Sequence, residues 1–461
     1  MQVLHLLLSI VRNKFTAIFI GSVGIGTADL YSRIADFIGS FTQLGLGVSG
    51  VRRIAQLYEE DASGEDLRNG IATLRSWVLL TALLGAVVLL LASPLLAHVF
   101  LKDNDRWLEC VGLVPLVMCA ALFAGEMTIL KATHQLKKLA IGTVLGAVIS
   151  LCVTIPLYAL FGKAAIISVL NISAFSLLGV YLWGTTRHYP YRLNFRHPSF
   201  RTEGRPLLRL GLSFVVAGVA TAGTELLVRH FINWETDESQ LGFYAVGFTL
   251  IVSYARIIFA AVDADYYPRL TAVVDHQTEM NKVVNRQIDA LVLLMSPFLI
   301  AFALGLPLII RVLYTEEFLC VTPMVLAALC YMFFKAVYTP TAYLSIAKGD
   351  SRIYLMMELL YNAVFATSVI LGFHCGGLLG AGFGLTFANL FDLIAINSFY
   401  SYYYKYRMER PTLYYTLIQF VLLVVTLCVC VLPHFWLKYG LGLSLLLASL
   451  LCSYHAWKKR R

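Results

Sequence analysis

Charge is scarce in this chain. Of its 461 residues only 14% are Asp, Glu, Lys or Arg, while 59% are hydrophobic. About a quarter of a soluble domain is charged, so this much apolar surface does not fit a water-soluble core. Long polar segments are also missing. No stretch between apolar runs exceeds about 25 residues, which leaves no room for a soluble catalytic domain. The nine cysteines show no metal-ligand spacing. Cys428 and Cys430 are two apart and would face different directions on a helix. All nine read as small apolar packing residues, and no cofactor is expected. A cleavable signal is not expected either. The first apolar stretch carries Arg12, Asn13 and Lys14 in its middle, and no small-x-small site follows it.

What is present is a string of apolar stretches, with a mean hydropathy of +0.75. A helix needs about 20 mostly apolar residues to cross the hydrocarbon core, and helices satisfy their own backbone there. Fourteen such stretches can be drawn: 3–20, 27–51, 76–97, 108–130, 139–160, 164–185, 207–228, 241–268, 287–310, 319–346, 353–373, 378–402, 412–432 and 436–457. The expected fold class is therefore an all-α polytopic membrane protein. Helices 2, 8 and 10 are longer than a minimum span, so tilt or extension beyond the bilayer is expected.

The 36 Lys and Arg residues test this layout. With a cytoplasmic N-terminus, the inside junctions and the C-terminus hold 25 of them, including Arg52, Arg53, Arg68, Arg75, Lys131, Lys137 and Lys138. The outside loops hold six: Lys102, Arg106, Lys163, Arg229, Arg311 and Lys438. This asymmetry is the positive-inside pattern. It accounts for the net charge of +9 without a nucleic-acid partner.

The basic segment 186–206 divides the first twelve helices into two sets of six. Residues 1–185 form an N-terminal lobe, 207–404 a C-terminal lobe, and 411–457 add helices 13 and 14. An internal repeat supports the division. Gly26 to Arg53 and Gly242 to Arg269 have equal length at an offset of 216 residues. Each starts at a glycine, runs as a long helix and ends at a basic residue followed by Ile54 or Leu270. An even number of helices per copy makes the repeats parallel, as in the halves of some carriers. A two-lobed bundle with a basic connector reads as an alternating-access carrier.

Two regions carry a family resemblance. The first runs through Arg12-Asn13-Lys14, then Ile20-Gly21-Ser22-Val23-Gly24-Ile25-Gly26, and ends in Gly45-Leu46-Gly47-Val48 and Val51-Arg52-Arg53-Ile54-Ala55. The second contains Leu227-Val228-Arg229, Leu241-Gly242-Phe243-Tyr244 and Tyr267-Pro268-Arg269-Leu270. Together they resemble Wzx-type O-antigen flippases of the multidrug/oligosaccharidyl-lipid/polysaccharide exporter superfamily. Those proteins carry a helix-1 lysine followed by a Gly-Pro-x-Gly-x-Gly turn; Ser22 stands at the proline position. The resemblance implies a multi-pass protein of the bacterial inner membrane with both termini cytoplasmic. It also implies export of oligosaccharide on a polyprenyl diphosphate, driven by an ion gradient or the membrane potential. The expected partners are the lipid-linked oligosaccharide, membrane lipids and a polysaccharide polymerase. No covalent chemistry is expected.

Ionisable residues inside spans are functional candidates. Lys14 matches the family lysine, so it either attracts a diphosphate or snorkels to headgroups; Arg12 is its neighbour. Asp29, Arg33 and Asp36 share one helical stripe and can pair, with Arg33 as a phosphate contact or as part of a self-neutralising network. Arg256 and Asp263 share a face of helix 8. Lys335 lies between Tyr331 and Tyr338 at i−4 and i+3, which suits either a sugar diphosphate or cation–π packing. Glu225 has Arg229 at i+4. Glu126, Glu358 and Asp392 read as isolated carboxylates. Lys14, Arg12, Arg33, Arg256 and Lys335 are thus the candidate cargo-binding cations, and Asp36, Asp263, Glu126, Glu225 and Asp392 the candidates for ion coupling. The alternatives are a multidrug exporter, whose cavity should be dominated by carboxylates, a peptidoglycan-precursor flippase and, from another class, a membrane polysaccharide polymerase.

Overall fold

The computed structural model describes residues 2–61, 64–195 and 199–460. Side chains at 2–3, 5–6, 48, 104, 199–214, 253–258, 260–265 and 459–460 lie outside the described residues. Among the described residues every regular element is a helix. The long ones are α1 (Gln2–Thr42), α2 (Leu46–Glu60), α3 (Glu65–Leu96), α5 (Val114–Ala132), α6 (Leu136–Phe161) and α7 (Ile166–Thr186), with a short α4 (Trp107–Val111) between α3 and α5. They continue as α8 (Ser199–Glu235), α9 (Glu238–Val273), α10 (Gln277–Leu313), α11 (Thr322–Ala347), α12 (Ser351–Tyr403), α13 (Arg410–Cys430) and α14 (Phe435–Arg460).

Ten stretches among the described residues are long and apolar enough to cross a membrane. Several hold more than one predicted span. Gly21 interrupts α1 with φ 62; Gly162, with φ 55, separates α6 from α7; Gly376 and Gly377 interrupt α12. The fold is that of an all-α polytopic membrane protein.

One predicted helix ends early. The apolar run 27–51 stops as a helix at Thr42, and Leu44 and Gly45 take left-handed φ values of 51 and 70. The chain then starts α2, which is amphipathic. Its Leu46, Ile54 and Leu57 bury against Leu67, Ile71, Leu74 and Ile129 of α3 and α5, each contributing about 1.5–3 kcal/mol. Arg52, Glu59 and Glu60 remain exposed.

The chain forms two compact units. The first comprises Met1–Gly242 with Val312–Thr315, the second Phe243–Arg311 with Glu316–Arg461. In the first, the segment after α7 is strapped down. Asn194 N–H donates to Ser76 Oγ at 2.7 Å, and the carbonyls of Tyr189 and Pro190 each accept from Arg75 Nη1 at 3.0 Å. In the second unit, α12 folds back on itself. A β-carbon on Gly380 would stand 1.8 Å from the Gly372 carbonyl oxygen, so only glycine lets the two arms meet there. Gly377, with φ 55, makes the reversal. Past the end of α12, Tyr404 donates to Asp350 Oδ2 at 2.8 Å; burial and that bond raise its phenol above the usual range. The two C-terminal helices join through a buried amide. Gln419 Nε2 donates to Ser453 Oγ at 3.0 Å, Gln419 Oε1 accepts from Ser449 Oγ at 2.6 Å, and Ser453 Oγ donates to the Leu293 carbonyl of α10 at 2.8 Å.

Candidate functional site

The first unit gathers five charges between α1 and α8. The stripe of Asp29, Arg33 and Asp36 pairs as the spacing suggests: Arg33 lies 3.4 Å from Asp29 Oδ1 and 3.2 Å from Asp36 Oδ2. Its shortest bond reaches across to α8, where Glu225 Oε2 accepts from Arg33 Nη1 at 2.9 Å. Arg229, one turn beyond Glu225, is buried and bonds Asp29. Two cations thus face three carboxylates. The sequence context of Arg229 suggests an outer loop; the structure puts it inside this network instead. Glu225 likewise binds Arg33 more closely than it binds its helix neighbour Arg229, which stands 3.7 Å away.

A second polar group ties the start of α9 to the rest of this unit. Arg106 Nη1 donates to Glu238 Oε1 at 2.8 Å, Arg106 Nε to Glu109 Oε2 at 2.9 Å and Arg106 Nη2 to the Tyr31 hydroxyl at 3.0 Å. Thr27 donates to Glu238 Oε2 at 2.8 Å, and Ser22 and Ser239 share a bond of 2.8 Å. Here the two repeat starts meet. A β-carbon on Gly26 would stand 2.1 Å from the Glu238 carbonyl oxygen, and one on Gly242 would stand 1.9 Å from that of Ser22. Ser22 and Glu238 are 216 residues apart, as are Gly26 and Gly242, so the contact is reciprocal. Ser22, the residue at the family's proline position, supplies both the carbonyl and the hydroxyl.

Lys14 donates to the carbonyl of Tyr314, and Asn13 Nδ2 to its hydroxyl at 3.4 Å. Arg12 is exposed, with the phenols of Tyr158 and Tyr314 as electrostatic neighbours. Lys14 therefore meets the end of α10 instead of standing alone.

Glu126 requires a correction. It is not an isolated carboxylate. It forms a two-pronged pair with Arg75, at 2.8 Å (Nε to Oε1) and 2.9 Å (Nη2 to Oε2). Both side chains are 3% exposed. Arg75, read as a loop charge, lies well inside α3, and the Tyr191 ring covers its guanidinium at 4.8 Å. The pair is a brace for the strap at 189–194. Breaking it would strand a buried charge, so Glu126 is a poor candidate for ion coupling.

In the second unit, α11 and α12 build a polar cluster. Lys335 Nζ sits 5.7 Å from the centre of the Tyr331 ring, and Tyr338 donates to Asn389 Oδ1 at 3.0 Å. Asp392 is buried, with Tyr338, Lys335 and Glu358 as its polar neighbours. Asp392 is therefore also not isolated. The side chains of Arg256 and Asp263 lie outside the described residues. Among the described residues no group of three or more His, Cys, Asp or Glu could hold a metal ion.

The sequence reading missed Arg106, Glu109, Glu238, Tyr31 and Asn389. The repeat held a usable signal for one of them. Glu238 stands four residues before Gly242, as Ser22 does before Gly26.

An all-helical chain with these spans defines a polytopic membrane protein. Its sequence matches the profile of the family described as "Polysaccharide biosynthesis protein" over residues 34–323. The chain belongs to that family. No curated protein sequence matches it. Among solved structures it is similar to the lipid II flippase MurJ in an inward closed conformation. The two are 12% identical with a TM-score of 0.72, over 100% of this chain and 98% of the other. It is also similar to an inward-facing multidrug resistance MATE family transporter of the MOP superfamily, at 13% identity and a TM-score of 0.70, over 88% and 96%. An outward-facing structure of such a MATE transporter matches at 14% and 0.60, over 86% and 92%. At these identities the likeness is one of fold.

Proposed function

We propose that the protein is a flippase that moves polyprenyl-diphosphate-linked oligosaccharide across the bacterial inner membrane by alternating access, with both termini cytoplasmic. The cargo is an O-antigen or related surface-polysaccharide unit, and a polymerase is its downstream partner. The reading makes no covalent bond, so the protein is not an enzyme. Family membership in polysaccharide biosynthesis, on a fold shared with a flippase, is the observation that carries it.

In this reading the parallel six-helix repeats form the two lobes. Lys14, Arg12, Arg33, Arg256 and Lys335 contact the cargo, and Asp36, Asp263, Glu225 and Asp392 couple transport to an ion gradient. The Arg33 network suggests how. Asp29 holds Arg33 Nε, and Asp36 and Glu225 both hold Nη1. Loss of the Glu225 charge weakens the closest of these acceptors and frees one N–H of Nη1 for a phosphate oxygen, the other staying with Asp36. A charge-assisted hydrogen bond contributes roughly 1.5–3 kcal/mol. Arg33→Ala is therefore expected to slow movement of the lipid-linked oligosaccharide in proteoliposomes about tenfold or more. Glu225→Gln, which cannot titrate, is expected to blunt the response to an imposed pH gradient. Unchanged rates in Arg33→Ala, or an unchanged gradient response in Glu225→Gln, would remove these residues from the mechanism.

The excess of carboxylates in this network favours a second reading, export of cationic small molecules. It requires efflux of a cationic dye that Glu225→Gln weakens and the lipid-linked oligosaccharide leaves unaffected.

A further inference from the structure

At the end of α3 the first unit holds a cleft that the transport reading does not use. Its volume is 730 Å³, and His98, Val99, Lys102, His230, Phe231 and Trp234 line it. We propose that this cleft binds the phosphate of a lipid headgroup at the membrane–water boundary.

Three features support this. The first is local construction. Helix α3 passes into a π-helical turn, Ala97–Leu101, and Lys102 follows in a left-handed conformation with φ 58. Wide turns of this kind recur at functional sites, and a non-glycine residue in this conformation persists only where its surroundings hold it. Here the surroundings are the last turn of α8. Lys102 Nζ donates to the Trp234 carbonyl at 3.0 Å and lies 5.8 Å from the centre of its indole, while Asn233 Nδ2 donates to the Phe100 carbonyl at 3.1 Å. His98 and Lys102 both reach the cleft as a result.

The second feature is charge. Lys102 makes no ion pair among the described residues. Its contacts are a carbonyl, an indole and, electrostatically, His230, so its charge is not cancelled by a carboxylate. One lysine and two imidazoles among the six lining residues suit a phosphate, which accepts hydrogen bonds from such groups. The His230 ring is fixed between Phe100, edge-on at 5.0 Å, and Trp234 at 6.0 Å.

The third is depth. Leu91 and Leu95 on α3 and Leu227 on α8 are exposed and apolar, as a lipid-facing surface would be. Within about two turns the chain becomes exposed and polar at Asp103, Glu235 and Asp237. The cleft sits at that changeover, with Trp234 exposed beside it, which is where tryptophan concentrates in membrane proteins. A headgroup phosphate lies at that level.

The phosphate could belong to bulk anionic phospholipid or to a polyprenyl diphosphate. Lipid binding to the purified protein in detergent separates them, and it requires no transport. Phosphatidylglycerol, undecaprenyl diphosphate and a neutral galactosyl diacylglycerol would each be titrated by native mass spectrometry. Wild type is expected to retain at least one of the two phosphate lipids over the neutral glycolipid. The double variant Lys102→Ala/His230→Ala is expected to bind that lipid about tenfold more weakly, and Lys102→Arg should keep the affinity. Loss for phosphatidylglycerol identifies a structural lipid site; loss for undecaprenyl diphosphate identifies a cargo contact. Equal retention of all three lipids by wild type, or unchanged phosphate-lipid binding in a double variant that melts like wild type, overturns the proposal. Should the double variant not fold, His98→Ala, at an exposed position, is the substitute and must show the same selective weakening.

Discussion

Replacing Arg75 with alanine should destabilise the protein by about 3–5 kcal/mol, the usual effect of removing one partner of a buried ion pair. The guanidinium is 3% exposed, as is Glu126. It also donates to the Tyr189 and Pro190 carbonyls, and Thr185 Oγ1 lies 3.4 Å from Nη2. The substitution leaves the Glu126 carboxylate without its counter-charge and releases two backbone acceptors. Thermal unfolding in detergent should show the loss, and limited proteolysis should find new cleavage between 189 and 194. The double change Arg75→Met/Glu126→Leu removes both charges, so it should recover most of the stability while leaving the strap loose. A single variant that unfolds within about 1 kcal/mol of wild type would mean that the pair is open to water.

The other large effect is expected at the glycine crossing. A valine at Gly242 would drive its β-carbon to within 1.9 Å of the Ser22 carbonyl oxygen. The obstacle is backbone, so the helices themselves must separate. Overpacking of this kind costs about 1–3 kcal/mol, and it should also break the bonds from Thr27 to Glu238 and from Ser22 to Ser239 that depend on the close approach. Gly242→Val should abolish transport, with Gly242→Ala between it and wild type. Because the contact is reciprocal, Gly26→Val should match it. Gly179 and Gly218 have open space around them, so alanine there should change neither transport nor melting temperature. Normal transport by Gly242→Val would show that this crossing need not stay closed.

Local features were legible in the sequence. The apolar runs, the Asp29–Arg33–Asp36 stripe and the equal spacing of Gly26 and Gly242 all lie within a few turns or follow one repeat. The end of α1 was less legible. The predicted span runs on from 27 to 51, and only the left-handed pair at Leu44 and Gly45 divides a crossing helix from an amphipathic one. Arg75 was misread for a related reason. An arginine a few residues past a charged loop resembles an interfacial cation, and nothing near it announces Glu126, 51 residues later. Arg229 and Asp29 are 200 residues apart, and Tyr338 and Asn389 are 51 apart. Single-residue patterns locate charges in the membrane, but their partners come from tertiary packing.

The most direct measurement is translocation of a lipid-linked oligosaccharide in proteoliposomes containing wild type, Lys14→Ala or Arg256→Ala. Lys14 reaches the Tyr314 carbonyl, so alanine there removes both a cation and that contact. Movement by wild type and its loss in both variants, with both still folded, is the expected result. No movement by wild type, together with efflux of a cationic dye from the same vesicles, would contradict the flippase reading and leave an exporter of cations in its place.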